Sequence, residues 1–444
     1  MRKHGLHLWY NVYFDQEQPV TRAMVDFSSL PDFEIVHPVL KAKRIETGPI
    51  TPVSANELVA MQQTRSDNEI EKITTKIDDP LLKLQWHYHN EGIVRDSRPG
   101  ADINLYKAWE IETGKPQVIV AIIDGGIQTD HPDIAANLWV NAAEQNGERS
   151  VDDDGNGYID DINGYNFVTE SGRIVAHDHG THVAGTVAAV NNNGIGVSGV
   201  AGGNGKPDSG VRLMSVQIFQ TNETTGADDT MLEEKRGNVF IYAANNGAVI
   251  AQCSWSYGWA GADQEIMASD KAGIDYFIKE AGTDKNGVQN GPMIGGVVIF
   301  ATGNDNVNAI KMPAAYDGVV SVSSYRPDYY KAVYSNYGSW VTLSAPGGDG
   351  DYEAGTQILS TMIGSQYGYQ AGTSMACPHA SGVAALIVSK YGVASDGGFT
   401  DFTNDRLKEI LRNSTNDMVS WFNPSQYQLG KGYINAHKAL AAWG

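Results

Sequence analysis

Four stretches of the 444-residue chain carry side chains whose types and spacing could do chemistry. In Gly372-Thr373-Ser374-Met375-Ala376 a hydroxyl follows a glycine and precedes a small-residue run, Ala380 to Leu386, that reads as a packed helix. A serine at a helix start caps orphan amides. It also suits a nucleophile, because the same amides stabilise an oxyanion formed beside it. In His177-Asp178-His179-Gly180-Thr181-His182 two chemistries compete. Three imidazoles could ligate zinc, or one of them is a general base at a helix start. The chain contains no HExxH, which weighs against zinc. Asp124 closes the apolar run Val118 to Ile123 and precedes Gly125-Gly126. It is either a turn aspartate or a functional carboxylate at the carboxyl end of a strand. The fourth stretch, Asp152 to Asp161, sets oxygen donors at Asp152, Asp154 and Asn156, a glycine next and a carboxylate at Asp160. That is the start of a calcium loop without the glutamate of the twelfth position, where Asn163 stands. So many carboxylates in one turn repel without a cation, so calcium is the reading and Asp152, Asp154, Asn156, Tyr158 and Asp160 its expected ligands; an ion-free acidic turn is the alternative.

The elements that must position these groups follow from the hydrophobic pattern. Val118–Ile123, Val249–Cys253 and Val297–Ala301 are continuous apolar runs, as in parallel strands covered on both faces. Val319–Ser323 and Trp340–Ala345 continue the series, and Gln264–Ala281 reads as a helix between two of the strands. Asn404–Arg412 and Ala436–Ala442 read as surface helices. Strands alternating with helices predict an α/β fold with a mostly parallel sheet. Upstream, residues 6–14 alternate as a strand, Val20–Leu30 has helical spacing, and Phe33–Ile45 reads as a second strand with Pro38 at an edge or bulge. Residues 47–78 are polar and read as a linker, with a short helix near Ile70–Ile77.

Composition bounds the function. Net charge is −20, which disfavours nucleic acid or an anionic membrane as partner and suits a protein that binds cations. Two cysteines, Cys253 and Cys377, leave one bridge or two free thiols open. No apolar run is long enough to span a bilayer, and the N-terminus lacks the apolar centre of a signal peptide.

Taken together, Ile122-Ile123-Asp124-Gly125-Gly126, His179-Gly180-Thr181-His182-Val183-Ala184-Gly185 and Gly372-Thr373-Ser374-Met375-Ala376 closely resemble, in this order, the signatures of the subtilisin-like serine proteases. The resemblance covers roughly residues 79–444. It implies a three-layer α/β sandwich and a serine endopeptidase with Ser374 as nucleophile, His179 as base, Asp124 as its orienting partner and Asn304 as oxyanion donor. His177, His182 and His379 then become structural. By the same resemblance Ser254, Trp255, Ser256 and Tyr257 pair with a peptide or protein substrate. Ala301, Thr302 and Gly303 complete the primary pocket, which bulky Trp255 and Tyr257 narrow or reshape, and Lys311 near its floor is either a surface lysine or a site for an acidic residue. Structural calcium is implied at Asp133 with Asn192, Ile195 and Val197, to which Asp79 or Gln85 contributes. Residues 1–46 resemble the second half, β-α-β, of an inhibitory propeptide, so the chain is expected to begin inside that segment. Residues 47–78 would link it to a catalytic domain at 79–444. The resemblance further implies a secreted or cell-envelope, monomeric enzyme held by its own propeptide; a narrow processing protease and a latent binding protein of the same fold are its rivals.

Overall fold

A computed structural model describes residues 10, 12, 19–36, 38–45, 47–48, 50–53, 77–92, 94–258, 265–349, 354–418 and 427–441. Its strands are β1 (Ala42–Arg44), β2 (Thr51–Pro52), β3 (Ile119–Gly125), β4 (Gly164–Asn166), β5 (Arg212–Thr221), β6 (Asp228–Thr230), β7 (Ile250–Cys253), β8 (Trp255–Tyr257), β9 (Val297–Ala301), β10 (Val320–Tyr325), β11 (Leu343–Pro346), β12 (Ile358–Met362), β13 (Gln366–Gln370), β14 (Thr415–Asn416) and β15 (Tyr433–Ile434). Its helices are α1 (Val20–Ser28), α2 (Leu105–Trp109), α3 (Ala142–Asn146), α4 (Asp178–Ala188), α5 (Gly237–Asn245), α6 (Ala268–Glu280), α7 (Thr373–Tyr391), α8 (Asn404–Asn413) and α9 (Ala436–Ala441).

The apolar runs form the middle of one large sheet, in the order β14-β15-β11-β10-β9-β7-β3-β5-β4 with β6 beside β5. All its pairs are parallel except β14 with β15 and β5 with β6. Strand β3 shows why its run is unbroken. Val120 and Ile122 enter one apolar cluster with residues of α4 and α7, while Ala121 and Ile123 enter the other with residues of α5 and α6. Side chains alternate across the sheet, so a strand covered on both faces needs apolar residues at every position. Each fully buried Val or Ile contributes roughly 1.5–3 kcal/mol. The α/β sandwich is therefore as the sequence implies.

The N-terminal part differs from its sequence reading. Helix α1 is present, but among the described residues between Phe33 and Ile45 only Ala42–Arg44 is a strand, and it pairs antiparallel with β8. Thr51–Pro52, read as linker, adds to the β12–β13 hairpin. The strand expected over residues 6–14 and the helix near Ile70–Ile77 fall almost wholly outside the described residues. Both new pairings join segments some two or three hundred residues apart, which local periodicity does not report.

Candidate active site

Asp124 sits where β3 ends and its register with β5 shifts. Its side chain is fully buried, and Oδ1 accepts from the Gly125 amide at 2.6 Å and from His179 Nδ1 at 2.7 Å. His179 is the second residue of α4. The helix is capped by His177, whose Nδ1 accepts from the His179 amide at 3.1 Å. This helix can approach β3 only because Gly180 has no side chain; a Cβ there would lie 2.1 Å from the Gly125 carbonyl oxygen. With Nδ1–H committed to Asp124, the Nε2 of His179 is the basic nitrogen, and it is buried with no hydrogen-bond partner.

Ser374 is the second residue of α7, after Gly372 at φ +152°. Its amide belongs to the first turn, where helix N–H groups lack intrahelical acceptors. Its Oγ donates to the Ile45 carbonyl and lies 3.3 Å from the Ser254 carbonyl. Asn304 is oriented by Thr373, whose amide and Oγ1 donate to Asn304 Oδ1 at 2.9 and 2.8 Å. The same Oγ1 accepts from the Gly303 amide at 3.1 Å. With Oδ1 held as acceptor, Nδ2 is buried and unpartnered, and a Cβ on Gly372 would meet it at 3.2 Å. A buried donor without a partner costs about 1–3 kcal/mol, so it marks a position kept for a group that arrives later.

The groove beside these residues is filled by the chain itself. Ala42, Lys43 and Arg44 pair with Tyr257, Ser256 and Trp255, the Gly258 amide donates to the Lys41 carbonyl at 3.0 Å, and the Ile45 amide donates to the Ser254 carbonyl at 3.3 Å. Past Ser374, Thr47 Oγ1 donates to the Ala371 carbonyl, Gln370 Nε2 to the Gly48 carbonyl at 3.2 Å, and the Val53 amide to the Tyr367 carbonyl at 3.0 Å. Residues 41–45, 47, 48 and 51–53 thus line the groove with the Ile45 carbonyl at Ser374. Ile45 is buried in the same apolar cluster as Ala301 and Met375, where the primary pocket was expected. Ala301, Thr302 and Gly303 are buried beside it, and Gly303 has φ +103° with Asn336 Nδ2 only 2.4 Å from where a Cβ would be.

Trp255 and Tyr257 do not narrow that pocket. Their rings are core side chains: Trp255 packs edge-on against Phe300 at 5.0 Å, and Tyr257 donates its hydroxyl to Asp270 Oδ2 at 2.7 Å. Buried Arg236 lies over both rings at 5.4 and 5.3 Å, pairs with Asp270 at 2.8 Å and donates to the Leu40 carbonyl at 3.1 Å. Lys311 is neither a surface lysine nor a free charge, being 6% exposed with Nζ 3.0 Å from Asp305 Oδ2.

The histidines do not converge on a metal. His179 faces Asp124, His177 caps α4, and His182 Nε2 lies 3.1 and 3.2 Å from the Ile358 and Gly368 carbonyls. His379 Nε2 lies 2.7 Å from His87 Nδ1, and burial pulls both His182 and His379 down to about 3. Cys253 and Cys377 are buried free thiols.

Two loops carry the residues expected to hold calcium. Around Asp133, Asn193 is the asparagine that faces the carboxylate, donating to Oδ1 at 2.8 Å, and the Val197 amide donates to Oδ2 at 2.9 Å. Asn192 turns away instead, accepting from the Asp78 amide and donating to the Asn204 carbonyl. Three consecutive asparagines hide which one faces in. The Ile195 amide donates to Asn193 Oδ1 at 3.0 Å, which shapes the loop. Asp79 accepts from the Asn192 and Asn193 amides, whereas Gln85 is tied to Ser198 and the Leu359 carbonyl. Burial pushes the Asp133 carboxyl up to about 7, and the Asp79 charge adds to the rise. In the second loop, Asp152 and Asp154 are joined by Glu144 of α3, with ligand atoms within 4.8 Å of one another. Asp160 instead receives the Ser150 amide at 3.0 Å on both oxygens. Asn156 Nδ2 donates to Asp154 and Asp161, and its Oδ1 accepts from the Tyr158 amide, while the Tyr158 ring packs on Tyr165 and Tyr242. Glu144 escaped the sequence reading because it lies on a helix before the loop rather than at its twelfth position.

The profile of the Subtilase family matches residues 115–432. The chain is 30% identical over 284 residues to a thermophilic serine proteinase of Bacillus sp. (strain AK1), covering 64% of this chain and 55% of that one. It is 30% identical over 388 residues to an extracellular basic protease of Dichelobacter nodosus, covering 82% of this chain and 56% of that one. The chain therefore spans about half the length of the curated relatives it matches. Among solved structures, a protease from Pseudoalteromonas arctica PAMC 21717 superimposes with a TM-score of 0.57 at 30% identity, over 83% of this chain and 99% of that one. By its matched signature, its sheet and its relatives, the chain belongs to the subtilase family of serine proteases.

Proposed function

We propose that the protein is a serine endopeptidase made as a zymogen, in which Ser374 attacks the carbonyl carbon of a peptide bond. His179 Nε2 takes the Oγ proton and returns it to the leaving amine, while Asp124 fixes the tautomer and stabilises the imidazolium. Asn304 Nδ2 and the Ser374 amide receive the developing oxyanion. Water then hydrolyses the acyl-enzyme by the same route. The observation that carries this reading is the pair of buried, unpartnered nitrogens, His179 Nε2 beside Asp124 and Asn304 Nδ2 beside Gly372, together with a serine that already touches a peptide carbonyl.

The first bond cut would be the one after Ile45, since residues 42–45 occupy the groove as an antiparallel strand with that carbonyl at the nucleophile. Residues 1–45 act as the propeptide and inhibitor, 46–78 as a connecting arm and 79–444 as the catalytic domain. Calcium is structural: Glu144, Asp152 and Asp154 are hard oxygen ligands close together at one site, Asp133 feels the charge of Asp79 at the other, and a divalent cation would offset the repulsion. A secreted monomer acting on peptides or proteins fits the extracellular relative, and among the described residues no helix is long and apolar enough to cross a membrane. The test is the full chain expressed beside Ser374→Ala. The wild type should react with a fluorophosphonate at Ser374 and yield a new N-terminus at Glu46, and Ser374→Ala should do neither. An unreactive Ser374 after the N-terminal segment has been removed would sink the reading.

A further inference from the structure

Arg44, the residue before Ile45, faces a carboxylate that belongs to no catalytic role. Its Nε donates to Asp228 Oδ2 in the hairpin β5–β6, and its Nη1 lies 3.4 Å from His177 Nδ1. Both partners of the pair are largely withdrawn from water, with side chains 16% and 18% exposed. His177 completes the arrangement. Its Nδ1 accepts the His179 amide, so the ring proton sits on Nε2, which lies 3.6 Å from Asp228 Oδ1. Burial works to raise the Asp228 carboxyl, but His177 and the Arg44 charge outweigh it and hold the group below its ordinary value. Beyond the pair the groove opens into a depression of about 740 Å³ lined by Lys41, Asp228, Asp229 and Glu233, so further carboxylates flank this side. The buried neighbours of Arg44 along the same segment are apolar, Ala42 and Ile45 each lying in an apolar cluster.

We propose that Asp228 makes the subsite for the second residue before the cleaved bond selective for a basic side chain, arginine above all, so that the preferred substrates are peptides carrying Arg followed by an aliphatic residue. This rests on the endopeptidase reading and deepens it. A neutral residue there would leave a largely buried carboxylate without its counter-charge, and an acidic residue would set two carboxylates together. The guanidinium suits the place because it can donate to the carboxylate through Nε while its other nitrogens reach His177. The arrangement also bears on the base, because Asp228 touches the histidine that caps α4 two residues before His179.

The experiment uses enzyme released by self-cleavage of the full chain and quenched fluorescent peptides of sequence Ala-Lys-Xaa-Ile-Glu-Thr, with Xaa arginine, its neutral isostere citrulline, or glutamate. Wild type should show kcat/KM for arginine over citrulline of about tenfold or more, the size expected for a charge pair between rim and core. Asp228→Asn should bring the ratio close to one, Asp228→Glu should keep part of it, and Asp228→Lys should favour glutamate. Each ratio is internal to one variant, and fluorophosphonate labelling of Ser374 counts the folded enzyme, so partial misfolding does not mimic the result. Equal cleavage of all three peptides by labelled enzyme would overturn the subsite and leave the endopeptidase standing, even if Arg44→Glu slowed self-cleavage. Absent cleavage with Ser374 unreactive would remove both.

Discussion

Thr373 sets the direction in which Asn304 faces, and this can be measured. Asn304 Oδ1 receives two hydrogen bonds, from the Thr373 amide at 2.9 Å and the Thr373 hydroxyl at 2.8 Å. Asn304→Ala removes the donor itself, and one oxyanion donor is worth about 2.7–4 kcal/mol, or 10²–10³ in kcat. Thr373→Val removes one of the two bonds that hold it. A neutral hydrogen bond contributes about 0.5–1.5 kcal/mol net, so kcat should fall about 2- to 12-fold. Thr373→Val also strips the Gly303 amide of its acceptor, a cost to stability that kcat per labelled Ser374 does not count. The decisive comparison is the double variant. If Thr373 acts through Asn304, adding Thr373→Val to Asn304→Ala should change kcat by less than about twofold. A full independent loss in the double variant would refute the positioning argument and assign Thr373 a direct contact with substrate. Ser374→Ala on the same peptides supplies the floor, a loss of order 10⁶.

Three further outcomes follow from the same packing. Gly180→Ala should lower kcat on the order of 10²-fold and destabilise by about 1–3 kcal/mol, because backbone stands 2.1 Å from the new Cβ and α4 must move with His179; turnover and thermal melts would check it, and undiminished kcat would refute it. Removal of calcium by EDTA should lower the Tm by several degrees, since a ligand at 100 times its Kd stabilises by about 2.7 kcal/mol, and Glu144→Gln should shrink that shift. Acid should destabilise the fold through His182 and His379, which burial holds at about 3 against 6.5 unfolded. The unfolded chain binds those protons first, so stability is lost as pH falls from 6.5 toward 3, up to roughly 1.4 kcal/mol per unit per histidine. Denaturant melts at pH 7 and pH 5 read it, and His379→Gln should flatten the slope.

What could be read beforehand divides along a physical line. Asp124, His179, Ser374 and Asn304 could be singled out because their blocks together resemble one family's signatures, and each sits at the end of an element whose own residues announce it: an unbroken apolar run, a small-residue helix start, a glycine turn. Their chemistry and their local fold are written in the same few positions. Asp228 and Glu144 carry no such local sign, since one is an acid in a hairpin and the other an acid in a five-residue helix, and each acquires meaning only from a partner brought in by the tertiary fold. The asparagines 191–193 show the same limit at one-residue scale, because loop curvature and not residue type decides that Asn193 faces Asp133.

The N-terminal segment makes the point most sharply. Periodicity reads Phe33–Ile45 as one strand, yet among its described residues only Ala42–Arg44 is extended in a ladder, because a strand exists where a partner edge exists, and β8 supplies just that much. The edge it meets is the one we propose a substrate pairs with, so on that reading the folding of the segment and the recognition of a peptide are the same event seen from two sides. It follows that the residues buried along it report what the groove accepts. Ala42 and Ile45 enter apolar clusters, Lys43 points to solvent, and Arg44 meets Asp228. A groove that binds mainly through backbone would tolerate any sequence at those positions; the carboxylate beside Arg44 is the feature that makes this one discriminate.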